Sequence, residues 1–433
     1  MVMRGLVCLL ICLNVVGVCH DVSAGMYDEE EGAFETVSAL NSDHRFWDDV
    51  RLTLSHVYAY GTSESGAIAN RSSLRYEFDT TFFKRFSLRL DGRSSLYWKQ
   101  DHQAGVDDTN ALAQNDLREC YIQAGFDAVS FKAGKQVVVW GETDGDVIND
   151  VISPRDEREF VFTNLEDARL GQPMVSMDLY SPWGDVFVFV TLDPKVNETP
   201  APGTRYFRGP AGIRVENEKP DTSDQESGIK WKKIFHQFDL SVMAARLRQN
   251  TGVLVYDHSD TYKKKYPSYW FYGMGARYAT GSLLFTLDAS LKRHYQLQTV
   301  DISGRYAGSE CLMTDNALGV EYDAGGRYTL NAELTHRHIV NDQDDLAGVK
   351  QDTDGLFIQY RRLFLNDTLT CQYRFYHQFQ EGHTIHNGEL DYLFSDHIRV
   401  IMDYTFFRER NQRSYYWTYR NDDRISCEIR YYF

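Results

Sequence analysis

The sequence lacks what a helical membrane protein or a nucleic-acid binder needs. Beyond its first residues no apolar run approaches the roughly 20 residues of a membrane-spanning helix. There is no basic excess to neutralise phosphates: 46 Lys and Arg face 62 Asp and Glu, a formal net charge of −16. Cysteine is sparse: Cys8, Cys12 and Cys19 crowd the N-terminus, and Cys120, Cys311, Cys371 and Cys427 are scattered without a CxxC pair. That spacing suggests neither a disulfide-stapled small domain nor a zinc ribbon, although one bridge stays open. No GxSxG, HExxH or P-loop occurs. Nor is there a low-complexity linker or a repeat of fixed period. Taken alone, 25% charged and 42% hydrophobic residues describe an ordinary soluble chain, and 433 residues would suggest two or three domains.

What is abundant is aromatic: 28 Tyr and 25 Phe bring the aromatic fraction to 14%. The N-terminus is also distinctive. Met1 to Arg4 is a short basic start, Gly5 to Cys19 is apolar except for Asn14, and Val22-Ser23-Ala24 offers a small-residue cleavage site. Residues 1–24 therefore read as a cleaved secretory signal. Val18 before Cys19 does not fit a lipoprotein site. Residues 25–45 read as an acidic tail or lumen plug.

From about residue 50 the pattern alternates with period two. Leu74, Tyr76 and Phe78 alternate with Arg75, Glu77 and Asp79; Leu283, Phe285, Leu287 and Leu291 alternate with Thr286, Asp288 and Lys292. Each segment thus has an oily and a charged face. A soluble sandwich and a membrane barrel both satisfy this, but three observations choose the barrel. Segments run about 9–12 residues, the length of a tilted membrane strand. Short turns (such as Lys84-Arg85, Phe235-His236 and Thr280-Gly281) alternate with long polar stretches at 61–70, 99–115, 141–172, 194–226, 249–267, 296–314, 341–353, 379–386 and 408–423. Finally, Ile425, Cys427, Ile429, Tyr431 and Phe433 end the chain on an alternating aromatic strand. This end resembles the last strand of Gram-negative outer-membrane proteins, which implies that Tyr431 and Phe433 form a signal read by the barrel-assembly machinery.

The expected fold is all-β: a transmembrane antiparallel up-and-down β-barrel over residues 46–433, of about 18 strands. Merging 173–180 with 186–193 would give 16. Residues 141–172, after the fifth strand, read as an inward-folded loop. Thr163 to Glu166 has capping-box spacing, and Ser153-Pro154 reads as a helix start. Asp144, Asp146, Asp150, Arg155, Asp156 and Arg158 are the candidate constriction residues, with Arg89 and Arg93 on the lumen wall. The predicted lumen faces mix acids (Glu77, Asp79, Asp91, Glu119) with bases (Arg75, Arg89, Arg93, Lys292). Such charges either set up a transverse field that admits polar solutes or satisfy one another.

Gly134-Lys135-Gln136, then Trp140-Gly141, then Asn149 to Asp156 with Pro154, resembles a motif of substrate-selective porins, including alginate-export-like barrels. The match covers about 25 residues, and Ser153 departs from it where Asn is common. The resemblance implies a passive outer-membrane channel, for diffusion or export of small polar solutes or a polysaccharide-like substrate. The implied partners are the lipid bilayer, lipopolysaccharide and the assembly machinery, with no cofactor, no metal and no nucleic acid. Two other readings stand beside it: an outer-membrane barrel enzyme of lipase or protease type, and a non-conducting structural or adhesion barrel. His336-x-His338 sets two imidazoles on one strand face. His377, His383 and His386 lie near a loop, and Asp352-x-Asp354 lacks the spacing of a calcium loop.

Overall fold

The structure is a computed structural model that describes residues 49–433, apart from 64–65, 105–110, 144, 146, 160–164, 203, 208–213, 218–224, 258–260, 302, 341–345, 347–349, 412–416 and 418. The expected signal (1–24) and tail (25–45) lie outside the described residues. The chain divides into residues 1–50 and residues 51–433, and the wall described below belongs, from Arg51 onward, to the second unit.

Eighteen strands form one antiparallel sheet closed on itself. The first seven are β1 (Val50–Gly61), β2 (Gly66–Phe82), β3 (Phe86–Tyr97), β4 (Leu112–Phe126), β5 (Val129–Gln136), β6 (Gln172–Leu179) and β7 (Asp185–Thr191). The wall continues with β9 (Ser227–Phe235), β10 (Phe238–Arg248), β13 (Ser268–Thr280), β14 (Leu283–Val300), β15 (Tyr306–Asp323), β16 (Tyr328–Ile339) and β17 (Asp352–Phe364). It ends with β18 (Leu369–Gln378), β19 (His383–Ser395), β20 (Ile398–Arg408) and β21 (Arg424–Tyr432). Each wall strand pairs with the next, and β21 returns to β1 in register from Thr53↔Tyr432 to Gly61↔Arg424. Closure leaves the wall no unpaired edge. The expected 18 strands are all present. The 16-strand alternative fails because β6 and β7 are separate strands joined by a turn, where Gly184 takes a positive φ of 121° and Ser181 Oγ donates to the Gly184 carbonyl.

Alternation sorts the two faces most plainly on β14. On β14, Leu283, Phe285 and Leu291 are exposed on the outer face, while Asp288, Ser290 and Lys292 are buried on the inner. Exposed Leu318, Leu334, Met402, Ile425 and Ile429 continue the oily outer belt. Such an arrangement is stable where the outer face meets hydrocarbon rather than water. The inner apolar packing lies in patches, the largest around Trp140, with Val138, Ile152, Met174, Phe189 and Phe271.

One end of the ring is joined by tight turns and the other carries the longer connections, as read from the sequence. Three stretches depart from that reading. Residues 61–70, 296–314 and 379–386 are mostly strand, with connections of only 62–65, 301–305 and 379–382. The strands β14 and β15 each run 18 residues, so the hairpin extends well past the alternating region. Ladder hydrogen bonds continue there, but the apolar face now turns inward, where Tyr295, Leu297, Cys311 and Met313 pack in a buried cluster with Ile339. A bulge at His294 (φ 63°) marks the change. Three further strands, β8 (Arg214–Asn217), β11 (Val253–Asp257) and β12 (Thr261–Lys265), form a small separate sheet within two connections. Lys263, Lys264 and Lys265 belong to β12.

Residues 137–171 also correct the sequence. The strand β5 stops at Gln136, not at 140, and Ser153-Pro154 starts no helix. Instead the Ser153 hydroxyl satisfies both polar groups of Val138, accepting from its N–H at 2.8 Å and donating to its carbonyl at 3.0 Å. Among the described residues here the helical turn is Leu165–Ala168, which contains the capping-box position Glu166; Thr163 and Asn164 lie outside the described residues. Cys120, Cys311, Cys371 and Cys427 are all free thiols.

Candidate functional site

The motif residues hold the root of the segment that follows β5. Gly134 has a φ of 131°, and a Cβ there would sit 2.3 Å from the Cys120 carbonyl, so only glycine fits. Gln136 is buried, donating to the Met174 carbonyl and accepting from Ser176 Oγ. Trp140 is almost fully buried edge-on to Phe187 and Phe189. Gly141 lets the backbone pass close to Asp150 and Asp288. Pro154, buried, accepts from the Leu170 N–H, which brings the outgoing and returning arms together.

Beyond this root the segment bonds to inner-face carboxylates on strands far from β5. Asp288 of β14 accepts from the backbone N–H groups of Glu142 (2.8 Å) and Thr143 (3.1 Å), from Thr143 Oγ1 (3.0 Å) and from Asn149 Nδ2 (2.7 Å). Glu333 of β16 accepts from the Gly145 N–H at 2.8 Å. Asn149 Nδ2 also donates to the Met274 carbonyl of β13, and Glu142 pairs with Arg277 at 2.7 Å. A buried carboxylate needs several donors, and here loop backbone supplies them.

On β2–β5 the inner charges are matched within the wall. Arg75 bonds Asp91 through two nitrogens (3.0 and 2.8 Å), and Arg89 bridges Asp79 (2.5 Å) and Glu119 (3.1 Å). Similar pairs recur around the ring: Lys292 and Arg337 on Asp315, Arg374 on Glu389, Arg399 on Asp391, and Arg430 on Glu428. Of the two readings of the mixed lumen charges, mutual satisfaction describes these residues.

Between the β2–β5 wall and the segment lies a cavity of about 450 Å³. Its basic lining is Arg71, Arg75, Arg93, Arg118, Lys135, Arg158, Arg169 and Lys195; its acidic lining is Asp91, Asp116, Asp156, Glu159, Asp167 and Glu198. Eight bases face six acids, the reverse of the whole-chain balance. The candidate constriction residues divide accordingly. Arg158, Asp156 and Arg93 line the cavity, Arg158 holding Asp156 (2.6 Å) and Glu198 (3.3 Å), and Arg93 reaching Asp167 at 3.3 Å. Asp150 is buried and held by Arg169 at 2.6 Å, while Arg155 donates to the Asp150 carbonyl. These two fasten the segment to itself. Asp144 and Asp146 lie outside the described residues.

A buried cluster at the long-connection end has no counterpart in the sequence reading. Arg71 bonds Asp101 (3.0 Å) and Glu159, and His102 Nε2 lies 3.1 Å from Glu159. The His102 ring meets Tyr206 at 4.7 Å, and Tyr206 meets Tyr419 at 5.2 Å. Asp422 accepts from Tyr206 Oη (2.6 Å) and Arg205 (2.8 Å). Four connections are thus joined. Burial would raise the Glu159 carboxyl, but Arg71, His102 and Arg424 hold it well below the usual carboxylate range. Burial lowers His102. Just before β9, buried Glu226 accepts from Gln172 Nε2 (3.0 Å) and the Arg248 N–H (2.9 Å), yet burial raises it to about 7. No motif flags these residues, because their partners come from connections far apart in the chain.

The histidines do not gather into one site. His336 and His338 face outward beside Asp354 and Asp352, whereas His383 is buried on the inner face, 3.0 Å from Glu409. Among the described residues no group of three or more His, Cys, Asp or Glu is placed to hold a metal ion. At the seam, Tyr431 and Phe433 are exposed on the outer face with rings 4.8 Å apart, and the Phe433 N–H donates to the Leu52 carbonyl.

Solved structures share this architecture at low sequence identity. Pseudomonas aeruginosa OpdK with vanillate is 10% identical, with a TM-score of 0.53 over 90% of this chain and 100% of that one. Acinetobacter baumannii OccAB1 is 11% identical, with a TM-score of 0.54 over 90% and 97%. OccAB3 of the same organism is 11% identical, with a TM-score of 0.52 over 89% and 98%. The fold is that of outer-membrane porins. No curated protein matches the sequence. The family model described as "Protein of unknown function (DUF1302)" matches residues 39–433, and the chain belongs to that family.

Proposed function

We propose that the chain is an outer-membrane channel for small polar solutes and that the cavity beside β2–β5 favours those carrying negative charge. The observation that carries this reading is the eight-to-six excess of bases around a 450 Å³ space in a chain of net charge −16. Opposed charges on a low-dielectric wall focus the field on the solute path, so a local excess outweighs the distant net charge. OpdK, whose structure includes vanillate, an aromatic carboxylate, supports the same class of solute. The tight turns would face the periplasm and the joined connections the exterior. Segment 141–171, bonded to Asp288 and Glu333, would narrow the bore.

Planar bilayers test this. The expected result is discrete conductance steps with a reversal potential on the anion side under a salt gradient. No steps and no solute flux would end the channel reading. The His102–Tyr206–Tyr419 ring cluster favours a second reading, a closed barrel that does not conduct, and the same recording decides it. A hydrolase built on His336 or His338 has less support, since the side chains 2.7 Å from their Nδ1 atoms are aspartates, Asp354 and Asp352, and not a nucleophile.

A further inference from the structure

Two charges around the cavity beside β2–β5 lack a proper partner, and they are of opposite sign. Among the described residues every base that lines the cavity, apart from Lys135, stands in an ion pair with a carboxylate. Lys135 is half-buried and makes no ion pair there. It belongs to the Gly134-Lys135-Gln136 motif. A Cβ at Gly171 would lie 3.2 Å from its Cγ, so the returning arm of the segment runs alongside its stem.

The second charge is Glu198, on the connection after β7. Its cation is Arg158, at 3.3 Å, but each nitrogen of that guanidinium has a closer partner. Nε and Nη2 donate to Asp156 at 2.8 and 2.6 Å, and Nη1 donates to Gln114 at 2.6 Å. Asp116 also comes second, 3.7 Å from Nη2, although Gln114 Nε2 donates to it at 3.0 Å. Burial pushes the Glu198 carboxyl up, and Asp156 and Asp116 add to that, against Arg158 and Lys135. Glu198 and Asp116 are the acids whose fields reach Lys135. Lys135 and Glu198 thus face one space and act on each other across it, without forming an ion pair.

We propose that the cavity binds a small zwitterion of the α-amino acid class, with its carboxylate on Lys135 and its ammonium on Glu198. The proposal rests on the channel reading and narrows it: of the solutes that carry a negative charge, the preferred ones carry a positive charge as well. A plain carboxylate would satisfy Lys135 but lie against Glu198 and Asp116. An amine alone would satisfy Glu198 and lie against Lys135. A solute with both charges replaces water at both ends and leaves neither side chain uncompensated. The other bases add field but no free partner, because carboxylates already hold them. At about 450 Å³ the space is of the size that small-molecule sites have.

The test is uptake of labelled solutes of similar shape into proteoliposomes holding the full chain. Alanine brings both charges, lactate only the negative one and alaninol only the positive one; arabinose, uncharged, reports that the barrel is intact. Wild type should take up alanine saturably, and at low concentration about tenfold faster than lactate or alaninol. Lys135→Met should abolish that advantage and shift the preference toward alaninol. Glu198→Gln should abolish it too, but shift the preference toward lactate. Opposite shifts with unchanged arabinose flux have no explanation in misfolding. Lactate ahead of alanine in wild type overturns the proposal and leaves the channel reading standing, as do preferences that the two variants move the same way or not at all. No uptake of any of the four solutes ends both.

Discussion

The walls of β2–β5 and β13–β16 both pair charges from strand to strand, Arg75 with Asp91 and Lys292 with Asp315, yet they meet the segment after β5 differently: the first through ion pairs such as Arg93 with Asp167, the second through carboxylates that accept from its backbone. On β2–β5 the guanidinium of Arg75 or Arg89 meets a carboxylate on the adjoining strand. On β13–β16 the carboxylates of Asp288 and Glu333 take their donors from residues 142–149. Where the partner is the next strand, a charge leaves free space and shapes the field in it. Where the partner is a connection, the same charge becomes a tether. The cavity lies against the first wall and the segment is fixed to the second; in the proposed channel these would be the path and the obstruction, side by side.

The sharpest way to break this contrast is to cut the tether. Asp288→Ala strands four donors in a buried place, at a cost of about 3 kcal/mol or more. Single-channel conductance should rise severalfold with more open-state noise, and an unchanged conductance would mean that the segment does not limit flow. A pH series reaches a different anchor. Folding raises Glu226 from 4.5 to about 7, so the folded chain binds the extra proton. Its contribution is therefore greatest at low pH, falls as pH rises from about 4.5 to about 7, and levels off above, a span of about 3 kcal/mol. Thermal unfolding in detergent should show that decline, and Glu226→Gln should flatten it and raise stability at pH 8. Ser153→Ala strips Val138 of both its partners and should cost about 1–2 kcal/mol, read as a lower melting temperature with little change in ion selectivity. On the opposite wall, Arg89→Gln should lower stability by about 1 kcal/mol or less, since Asp79 is well exposed. It should instead move the reversal potential toward cations, and a large change in conductance without that shift would contradict the division of labour.

The ring was legible because period two is a local signal: Leu283 to Lys292 show both faces without any knowledge of the partner strand. It ceased to be legible past the bulge at His294, where the register shifts and the apolar side chains of Leu297, Cys311 and Met313 turn inward, so Gln296 to Thr314 read as a loop although they continue the β14–β15 hairpin. The anchoring role of Gly134, Gln136 and Trp140 surfaced through their motif, but what they anchor against did not. Asp288 lies 139 residues from Asn149, and Asp422 lies 216 from Tyr206. A single sequence carries no mark of such pairings. Ser153 shows the same limit at short range. Beside proline it looked like a helix cap, and its hydroxyl instead serves Val138, a partner visible only once the chain has turned.

The closing pair, β1 with β21, also sets how this wall can come into being. Most wall strands meet a neighbour a few residues away, whereas Thr53 must find Tyr432, about 380 residues on. Bringing such distant ends together costs about 3 kcal/mol more in chain entropy than closing a ten-residue turn. Hairpins can therefore zip one after another, but the seam has to come last, and everything that depends on an enclosed interior waits for it. A chain that stopped before Arg424 would not make a slightly narrower channel. It would be a sheet with two sticky borders and no inside.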